Sequence, residues 1–388
     1  MRKRASTPAA TPPFRVQLVV DTHLAYFREV ILGVRKYGFE TGRLELVDRW
    51  LEHEPRDLRI LVQRDNVQGI IAAIHRPNIE ARFSGLGIPV VNTSNTMPLP
   101  RLPVVTQDDR MVGRLAGEHL RDCGCRRFAF WGQQVSSYTF ERLEGFRGVV
   151  EKNGATVDVR LMPPKYGRPE YTRILRWLSR QQRPLGVFAV LDAMGLLLLR
   201  AARELGWRVP EDLAVLGAGD DDFLVAFERI ALSSVKLPAR QIGYAAAQEI
   251  DRLICGGSPA REGIRLPPAG LAARQSTDTL FVTDEVVVRA LQFIRQRATS
   301  NPYVSDVSRF CGVSIPTLQA RFRATLGRTV LAEIQRVRIE RAKEFLRTTD
   351  SKLEQIAENC GFPNAKRFSV LFRQLSGTSP RQFRRSSR

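Results

Sequence analysis

Two segments near the end of the chain repeat one scheme, in which a short helix with an apolar stripe leads through a glycine into a second helix carrying arginine or lysine. The first segment is Val304–Phe322 and the second is Leu353–Phe372. Gly312 and Gly361 stand where the chain must turn sharply, and a residue without a Cβ tolerates such a turn. The repeated pattern predicts two helix-turn-helix units.

The second helix of each unit has the side chains that a helix in the DNA major groove needs. Long donors reach guanine N7 and O6 and the phosphates, while small groups allow close approach. Ser314 and Asn364 are suited to capping the starts of these helices. The positions predicted to face inward are Leu318, Phe322, Phe368 and Phe372. The residues predicted to contact DNA are Pro316, Thr317, Gln319, Ala320, Arg321, Arg323, Asn364, Lys366, Arg367, Ser369, Val370 and Arg373.

Either unit alone could be an ordinary helical hairpin, but two copies in a basic region favour double-stranded DNA as the partner. From Phe281 onward the chain has 20 basic and 9 acidic residues, a net charge of +11, whereas the longer part before Phe281 carries only +9. Such a region suits a polyanion, because each neutralised phosphate releases counterions. A rigid helix through Arg336–Leu346 would set the two units in successive major grooves, about one turn apart.

The part of the chain before Phe281 alternates apolar, strand-like runs with helical stretches, as parallel sheets covered by helices do. Examples of the runs are Phe14–Val20, Gly69–Ile74, Arg127–Trp131, Leu185–Leu191 and Leu213–Leu216. This length predicts two lobes, with the chain crossing between them near Asp122 and again near Leu280. We therefore expect a disordered basic tail over 1–13, a two-lobed α/β effector domain over 14–280, and an all-α domain with two helix-turn-helix motifs over 281–388.

The composition argues against a membrane protein and against several kinds of enzyme. The sequence has no run of about 18 apolar residues and no secretory signal, so we expect no membrane association. Its five cysteines lack metal-binding spacing and are expected to be reduced thiols of a cytoplasmic protein. We find no phosphate-binding glycine loop and no Ser/His/Asp set, and we predict no cofactor, no metal and no enzymatic activity. Two alternatives stay open: a two-lobed enzyme with a nucleic-acid-binding appendage, and a constitutive DNA-binding regulator with a degenerate sensor.

The segment Glu285–Arg384 resembles the DNA-binding domain of AraC/XylS-type regulators. The match is carried by Ile356-Ala357, Gly361-Phe362, Phe368, Phe372-Arg373, Gly377-Thr378-Ser379-Pro380 and Phe383-Arg384, while Arg338–Leu346 resembles the linker helix of that family. The resemblance implies that the second helix of each unit reads DNA and that Gly377–Arg384 helps to close the domain. A zinc-dependent repair methyltransferase can carry such a domain, but its cysteine-rich module is missing from this sequence.

The part of the chain before Phe281 resembles the periplasmic-binding-protein-like effector domain of LacI/GalR-type repressors. The match rests on Thr106–Asp109, Phe128–Gly132, Arg142 with Gly145-Phe146, Val187–Asp192 and Val215–Asp221. The two domains in this order are similar to regulators of the xylose operon. The resemblance implies a transcription activator of a sugar-utilisation operon that is switched by a small sugar such as D-xylose. It also implies a homodimer, formed through the first lobe, and RNA polymerase as a further partner.

A sugar needs planar hydrogen-bond partners for its hydroxyl groups and an aromatic face for its apolar side. By the resemblance, the ligand-binding residues are Asp108, Tyr138, Arg142, Asp192 and Asp220, with Tyr26 and Arg28 after the first strand. Trp131 is the alternative to Tyr138 as the stacking surface, and each carboxylate could instead cap a helix or form a surface ion pair. The chain departs from the family pattern at Leu191, where asparagine is usual, and at Met194, where arginine is usual. Both departures predict a less polar pocket.

Overall fold

The structure is a computed structural model that describes residues 13–47, 58–134, 136–163, 168–221, 223–224, 229–260, 263–277, 284–297, 302–376 and 378–386. They form two compact units. The first unit contains the described residues up to His119 together with Arg127–Thr277, and the second contains Leu120–Arg126 with the described residues from Asp284 onward. Most of the predicted basic tail (1–12), the predicted domain boundary (278–283) and Gly377 lie outside the described residues.

The first lobe of the first unit is a small parallel sheet with helices beside it. Its strands are β1 (Phe14–Val19), β2 (Leu44–Leu46), β3 (Gly69–Ala72) and β4 (Val90–Asn92). They pair in parallel in the order β2-β1-β3-β4. Its first helices are α1 (Ala25–Thr41), α2 (Leu58–Arg64) and α3 (Pro77–Ser84). Every residue of β3 is buried, which agrees with the apolar run in the sequence.

The second lobe is built on a larger sheet. The remaining strands of the unit are β5 (Val105–Gln107), β6 (Phe128–Gln133), β7 (Val157–Met162), β8 (Leu185–Ala189), β9 (Leu213–Gly219), β10 (Ser233–Lys236), β11 (Ile264–Leu266) and β12 (Gly270–Ala272). Six of them form a sheet in the order β12-β10-β9-β8-β6-β7, parallel except for β12, while β5 pairs with β11. The remaining helices are α4 (Asp109–Asp122), α5 (Ser137–Val150), α6 (Arg168–Leu178), α7 (Asp192–Glu204) and α8 (Ala239–Ile254).

Within the described residues the chain passes between the lobes three times, and none of these passages is near Asp122, where one was predicted; Leu280, near which the other was predicted, lies outside the described residues. It leaves the first lobe after β5, whose Val105 lies in the first-lobe core, and enters the second lobe through α4. It returns after β10 as α8, which packs on α1, and goes back between β11 and β12. The prediction for Asp122 was wrong because α4, which ends there, already packs on α5 of the second lobe. The return through α8 was not predicted because it depends on packing between segments that are far apart in the sequence.

Close helix packing fixes α5, which carries Arg142, against α4. A Cβ on Gly145 would clash with the main-chain oxygen of Arg110, and a Cβ on Gly113 would clash with that of Arg142. The two backbones can approach this closely only because both positions lack a side chain. The start of α5 is therefore held firmly beside the lobe boundary.

The described residues of the second unit from Asp284 onward are helical. The helices are α9 (Glu285–Gln296), α10 (Val304–Cys311), α11 (Ile315–Leu326), α12 (Val330–Thr348), α13 (Leu353–Asn359), α14 (Ala365–Ser376) and α15 (Pro380–Ser386). One core joins α9, α10, α11 and the start of α12, and a second joins the end of α12 to α13, α14 and α15. Helix α12 belongs to both cores and so connects the two helix-turn-helix units. None of the helices in the described ranges is long and apolar enough to cross a membrane.

Candidate functional site

A cavity of about 420 Å³ lies between the two lobes, where the strands β4, β8 and β9 end. We call it the interlobe cavity. This position matches the general rule that ligands of parallel sheets bind beyond the carboxyl ends of the strands. The lining residues are Leu24, Ala25, Tyr26, Phe27, His75, Thr93, Ser94, Asn95, Thr96, Gln107, Tyr138, Arg142, Leu191, Asp192, Ala193, Ala218, Gly219, Asp221, Leu224 and Leu237.

Arg142 is the most buried cation of this cavity, with 2% of its surface exposed. Its Nε donates to Oδ1 of Asp109 at 2.7 Å, and its Nη1 donates to the main-chain oxygen of Val190. The guanidinium also lies over the ring of Tyr138, with its carbon 5.0 Å from the ring centre. These contacts orient a planar, charged donor toward the cavity before any ligand arrives.

Asp109 is fully buried and ties the two lobes together. Its Oδ2 accepts hydrogen bonds from Nδ2 of Asn95 and from Nε2 of Gln107, both at 2.8 Å. Burial raises the pKa of the Asp109 carboxyl, and the neighbouring Arg142 opposes this shift. The Tyr26 hydroxyl extends the network by donating to Oε1 of Gln107 at 3.1 Å, and burial raises the pKa of that hydroxyl.

Asp192 is a buried carboxylate that the second lobe places at the cavity, in the first turn of α7. Its Oδ1 accepts from the Ser234 hydroxyl at 2.6 Å and its Oδ2 accepts from the Asp221 N–H at 3.0 Å. Burial raises the pKa of Asp192 to about 6. A carboxylate has about four acceptor positions, so these two bonds leave capacity for hydroxyl groups of a ligand.

His75 follows β3 and lines the cavity from the first lobe. Its Nδ1 lies 3.0 Å from the Ser94 hydroxyl and 3.2 Å from the Thr96 hydroxyl. Burial lowers the pKa of the imidazole, which favours its neutral form. Together with the stretch Thr93–Thr96, it makes the first-lobe side of the cavity rich in hydrogen-bonding groups.

Four of the predicted ligand-binding residues line the cavity, and the others do not. Those that line it are Tyr26, Tyr138, Arg142 and Asp192. Asp108 instead caps α4, where its Oδ1 accepts from the Met111 N–H at 2.9 Å. Arg28 is exposed and donates to the main-chain oxygens of Thr22 and His23.

Asp220 and Trp131 are also absent from the cavity lining, for reasons of pairing and packing. Asp220 accepts a hydrogen bond from Nη2 of Arg274 at 2.6 Å and forms an ion pair with Lys236 at 3.0 Å. It therefore forms an ion pair, which the sequence left open as the alternative to ligand binding. The Trp131 ring is buried against Trp177, with ring centres 4.9 Å apart. Tyr138 is therefore the predicted stacking residue that the cavity retains.

Several residues that line or support the cavity are not among the predicted ligand-binding residues, although the sequence around some of them indicates a binding site. Asp109 and Gln107 belong to the motif Thr106–Asp109, in which Asp108 is the predicted ligand-binding residue. The carboxylate of Asp109, one position further on, is the one that points into the lobe boundary. The polar run Thr93–Thr96 directly follows a buried strand, which is a typical place for binding residues. Of the two departures from the family pattern, Leu191 lines the cavity whereas Met194 is buried and is not among the lining residues.

The second compact unit contains the two predicted helix-turn-helix units. Helix α10 ends at Gly312, which has φ +69°. Helix α11 begins after Ser314, whose hydroxyl accepts from the Thr317 N–H at 3.3 Å. In the other helix-turn-helix unit Gly361 has φ +75°, and Oδ1 of Asn364 accepts from the Arg367 N–H at 2.8 Å. The predicted turns and caps are confirmed.

The inward and outward faces of α11 and α14 also agree with the prediction. The four predicted inward residues, Leu318, Phe322, Phe368 and Phe372, are completely buried. Of the predicted DNA-contacting residues, Gln319 and Ser369 are half-buried and the other ten are exposed. Arg321 forms an ion pair with Asp284 at 3.1 Å, so part of its charge is directed to its own domain.

The connecting helix α12 is longer than the predicted stretch Arg336–Leu346. It begins after Thr329, whose hydroxyl accepts from the Ala332 N–H. The fully buried Glu333 forms ion pairs with Arg328 and Arg336, both at 2.8 Å. This triad, in which Glu333 is buried and the two arginines are partly exposed, holds the start of the helix against the first core.

Comparisons with known proteins cover both units. A periplasmic binding protein-like domain model matches residues 118–277, and a helix-turn-helix domain model matches residues 307–386. The chain is 30% identical to the xylose operon regulatory protein of Escherichia coli strain K12, over 96% of this chain and 97% of that protein. It is 28% identical to the protein of the same name from Haemophilus influenzae, over 96% and 98% of the two chains.

The solved structures include one of a xylose-binding transcription activator, XylR. It has 27% sequence identity and a TM-score of 0.61, and the match covers 96% of this chain and 98% of that one. The predicted fold class, a two-lobed periplasmic-binding-protein-like α/β domain followed by an all-α domain with two helix-turn-helix motifs, is confirmed. These relatives are named as transcription regulators and not as enzymes, which sets aside the enzyme left open by the sequence.

Proposed function

Because this chain belongs to the family of xylose operon regulatory proteins and is a DNA-binding transcription regulator, we propose that a small sugar in the interlobe cavity switches its binding to DNA. D-xylose is the first candidate, since the relatives are named for the xylose operon and for xylose binding. The observation that carries the proposal is the presence of both Arg142 and Asp192 on the lining of one cavity. They supply oriented donors and acceptors for neighbouring hydroxyl groups.

The two lobes offer the sugar different partners, so that closure around it is favourable. The first lobe contributes His75, Asn95 and Gln107, and the second contributes Tyr138, Arg142 and Asp192. A ligand that contacts both walls binds a closed arrangement better than an open one. The sugar therefore shifts the population of the two arrangements, by as much as its affinities for them differ.

The output is sequence-specific binding by α11 and α14. We propose that Thr317, Gln319 and Arg323 of the first helix contact base edges or phosphates, and that Lys366, Arg367 and Arg373 do so from the second. The remaining members of the set are Pro316, Ala320, Arg321, Asn364, Ser369 and Val370, which permit close approach or assist. Their exposure beside buried anchors supports this role.

We further propose that the protein acts in the cytoplasm as a homodimer, and that it activates transcription together with RNA polymerase. In this proposal the first lobes of two protomers meet, and closure of the lobes changes how the DNA-binding units are presented to paired half-sites. Half-sites that follow the same face of the duplex are expected, because each helix-turn-helix reads one groove segment.

Thermal unfolding of the purified full-length protein tests the sugar assignment. A ligand that binds only the folded state stabilises it by about 2.7 kcal/mol at a hundredfold excess over its Kd. We expect an upward shift in Tm with at least one pentose or hexose of a panel, and no shift for Arg142→Ala with the same sugar. If no sugar changes Tm, the sensor assignment fails and a constitutive DNA-binding regulator remains.

A further inference from the structure

The lining of the interlobe cavity has polar and apolar parts. The first-lobe side presents hydrogen-bonding groups from Thr93–Thr96, His75 and Gln107, together with the apolar side chains of Leu24, Ala25 and Phe27. A different part of the lining is a cluster of aliphatic side chains, which we call the apolar wall: Leu191, Ala193, Ala218, Leu224 and Leu237. All five belong to the second lobe or to the segment that leaves it.

The backbone of Leu191, one of the residues of the apolar wall, is held in a defined conformation. It is the N-cap residue of α7 in an extended conformation, with φ −137° and ψ 152°, and its main-chain oxygen accepts from the Met194 N–H at 3.1 Å. It directly precedes Asp192, and both residues line the cavity. A ligand that reaches Asp192 therefore lies near an apolar side chain.

Two carboxylates that directly follow β9, Asp220 and Asp221, already have partners within the protein. Oδ1 of Asp221 accepts from the main-chain N–H groups of Phe223 and Leu224, and Asp220 is paired with Arg274 and Lys236. Within the described residues, the charged side chains that this lobe places on the lining are thus Arg142, Asp192 and Asp221, and Asp221 accepts both of these N–H groups through Oδ1. A hydroxyl group placed against the leucines would lose its hydrogen bonds with water and find few replacements.

We propose that the effector is a monosaccharide with an apolar substituent on one edge, which packs against Leu191, Leu224 and Leu237 while the hydroxyl groups on the other edge bind Arg142 and Asp192. A methyl group in place of a hydroxymethyl group, as in a 6-deoxyhexose, supplies that substituent. An alkyl or aryl aglycone of a glycoside supplies the same chemistry. The inference rests on the proposed function, a sugar in this cavity, and narrows the class of sugar: D-xylose has no such substituent and is expected to bind more weakly than its substituted counterpart.

Matched sugar pairs separate the two sources by calorimetric titration of the full-length protein. L-fucose against L-galactose, and L-rhamnose against L-mannose, each compare a methyl with a hydroxymethyl group. Methyl β-D-xyloside and phenyl β-D-xyloside against D-xylose test an aglycone. We expect the substituted member of at least one pair to bind about fourfold more tightly per buried methyl or methylene group.

The variant Leu191→Asn tests the wall itself, because asparagine keeps the branching of leucine but replaces its methyl groups with polar ones. We expect it to lose the preference for the substituted sugar by about fourfold to tenfold, with a smaller loss for the parent sugar. Leu197→Asn is the matched control, since Leu197 is a half-buried leucine of α7 that does not line the cavity. Leu237→Asn, on a different segment, repeats the test if Leu191→Asn lowers Tm without ligand.

The outcomes are distinguishable. Tighter binding of the unsubstituted member in every pair would overturn the inference and leave the proposed sugar sensor standing. An unchanged preference in folded Leu191→Asn and Leu237→Asn would also overturn it. Absence of binding by every sugar in the panel would remove the proposed function together with the inference.

Discussion

Two buried charged residues, Arg142 and Asp192, define the sensor at the scale of single side chains. Arg142 is neutralised in advance by Asp109, whereas Asp192 has only hydroxyl and main-chain donors for partners. An ionised group that is buried with neutral donors is sensitive to pH and to any ligand that adds another donor. Asp192 should therefore report sugar binding more directly than any other carboxylate of the cavity.

The pH dependence of sugar affinity tests this role. The pKa of Asp192 is raised to about 6, so the folded protein takes up this proton at a higher pH than the unfolded chain does. The buried charge therefore opposes folding above pH 6, and this penalty disappears as the pH falls. Sugar hydroxyl groups donate to the ionised form, so we expect affinity to fall as the pH is lowered through 6, approaching tenfold per pH unit below it.

Calorimetric titration between pH 8 and 5 measures this effect. Asp192→Asn should bind sugar weakly and without the step near pH 6, while Asp108→Asn, which alters only a helix cap, should retain the step. His75 also lines the cavity and its pKa is lowered, so His75→Gln is needed as well. If the change in sugar affinity near pH 6 remains in Asp192→Asn but disappears in His75→Gln, the titrating group is the imidazole of His75 and not the carboxyl of Asp192.

Arg373 tests the reading surface at the same scale. It is exposed in the last turn of α14, one residue beyond the buried anchor Phe372. We expect Arg373→Ala to weaken binding to a selected DNA site by about 1–3 kcal/mol and to relax the preference at one base pair. Arg297→Ala, which removes an exposed arginine near the end of α9, is the charge-matched control. Equal losses for both variants at every sequence would mean that Arg373 contributes charge and no base readout.

Helix packing determines how precisely the cavity residues are held. Helix α5 carries Tyr138 and Arg142, and it can approach α4 closely because Gly145 has no side chain. We expect Gly145→Ala to lower the free energy of unfolding by about 1–3 kcal/mol through forced separation of the two helices. Sugar affinity should fall as well, because Arg142 moves with the helix. Chemical denaturation with calorimetry measures both.

Gly148 provides the control on the same helix. It is exposed, and a Cβ there would meet nothing within 4 Å. Gly148→Ala should therefore stabilise the protein by up to about 1 kcal/mol through higher helix propensity, and leave sugar affinity unchanged. Similar destabilisation by both alanines would contradict the packing explanation.

The sequence predicts elements well where local pattern decides them. The buried strands β1, β3, β6, β8 and β9 follow apolar runs, and the turns at Gly312 and Gly361 follow from residues that local geometry requires. The pairing of β5 with β11 joins segments that lie far apart along the chain, and no local periodicity encodes it. Local periodicity also does not encode the return of the chain through α8. Nor does it show that Asp109, and not the predicted Asp108, faces the lobe boundary.

The whole molecule joins a sugar-type sensor to a double helix-turn-helix unit, and its proposed function requires that the two communicate. Coupling between sites is a free energy, commonly about 1–3 kcal/mol, and it acts equally in both directions. A sugar that changes DNA affinity by a given factor must have its own affinity changed by DNA by the same factor. This reciprocity distinguishes a regulator from two independent binding domains on one chain.

The measurement that tests this coupling most directly is therefore the sugar affinity of the full-length protein with and without a saturating DNA site. The protein itself selects that site from a random library. We expect DNA to change the sugar affinity by about 5-fold to 150-fold, and the sugar to change the DNA affinity by the same factor. Arg142→Ala should bind the same DNA with no response to sugar. Tight sugar binding that DNA leaves unaltered, with DNA binding that the sugar leaves unaltered, would contradict the account.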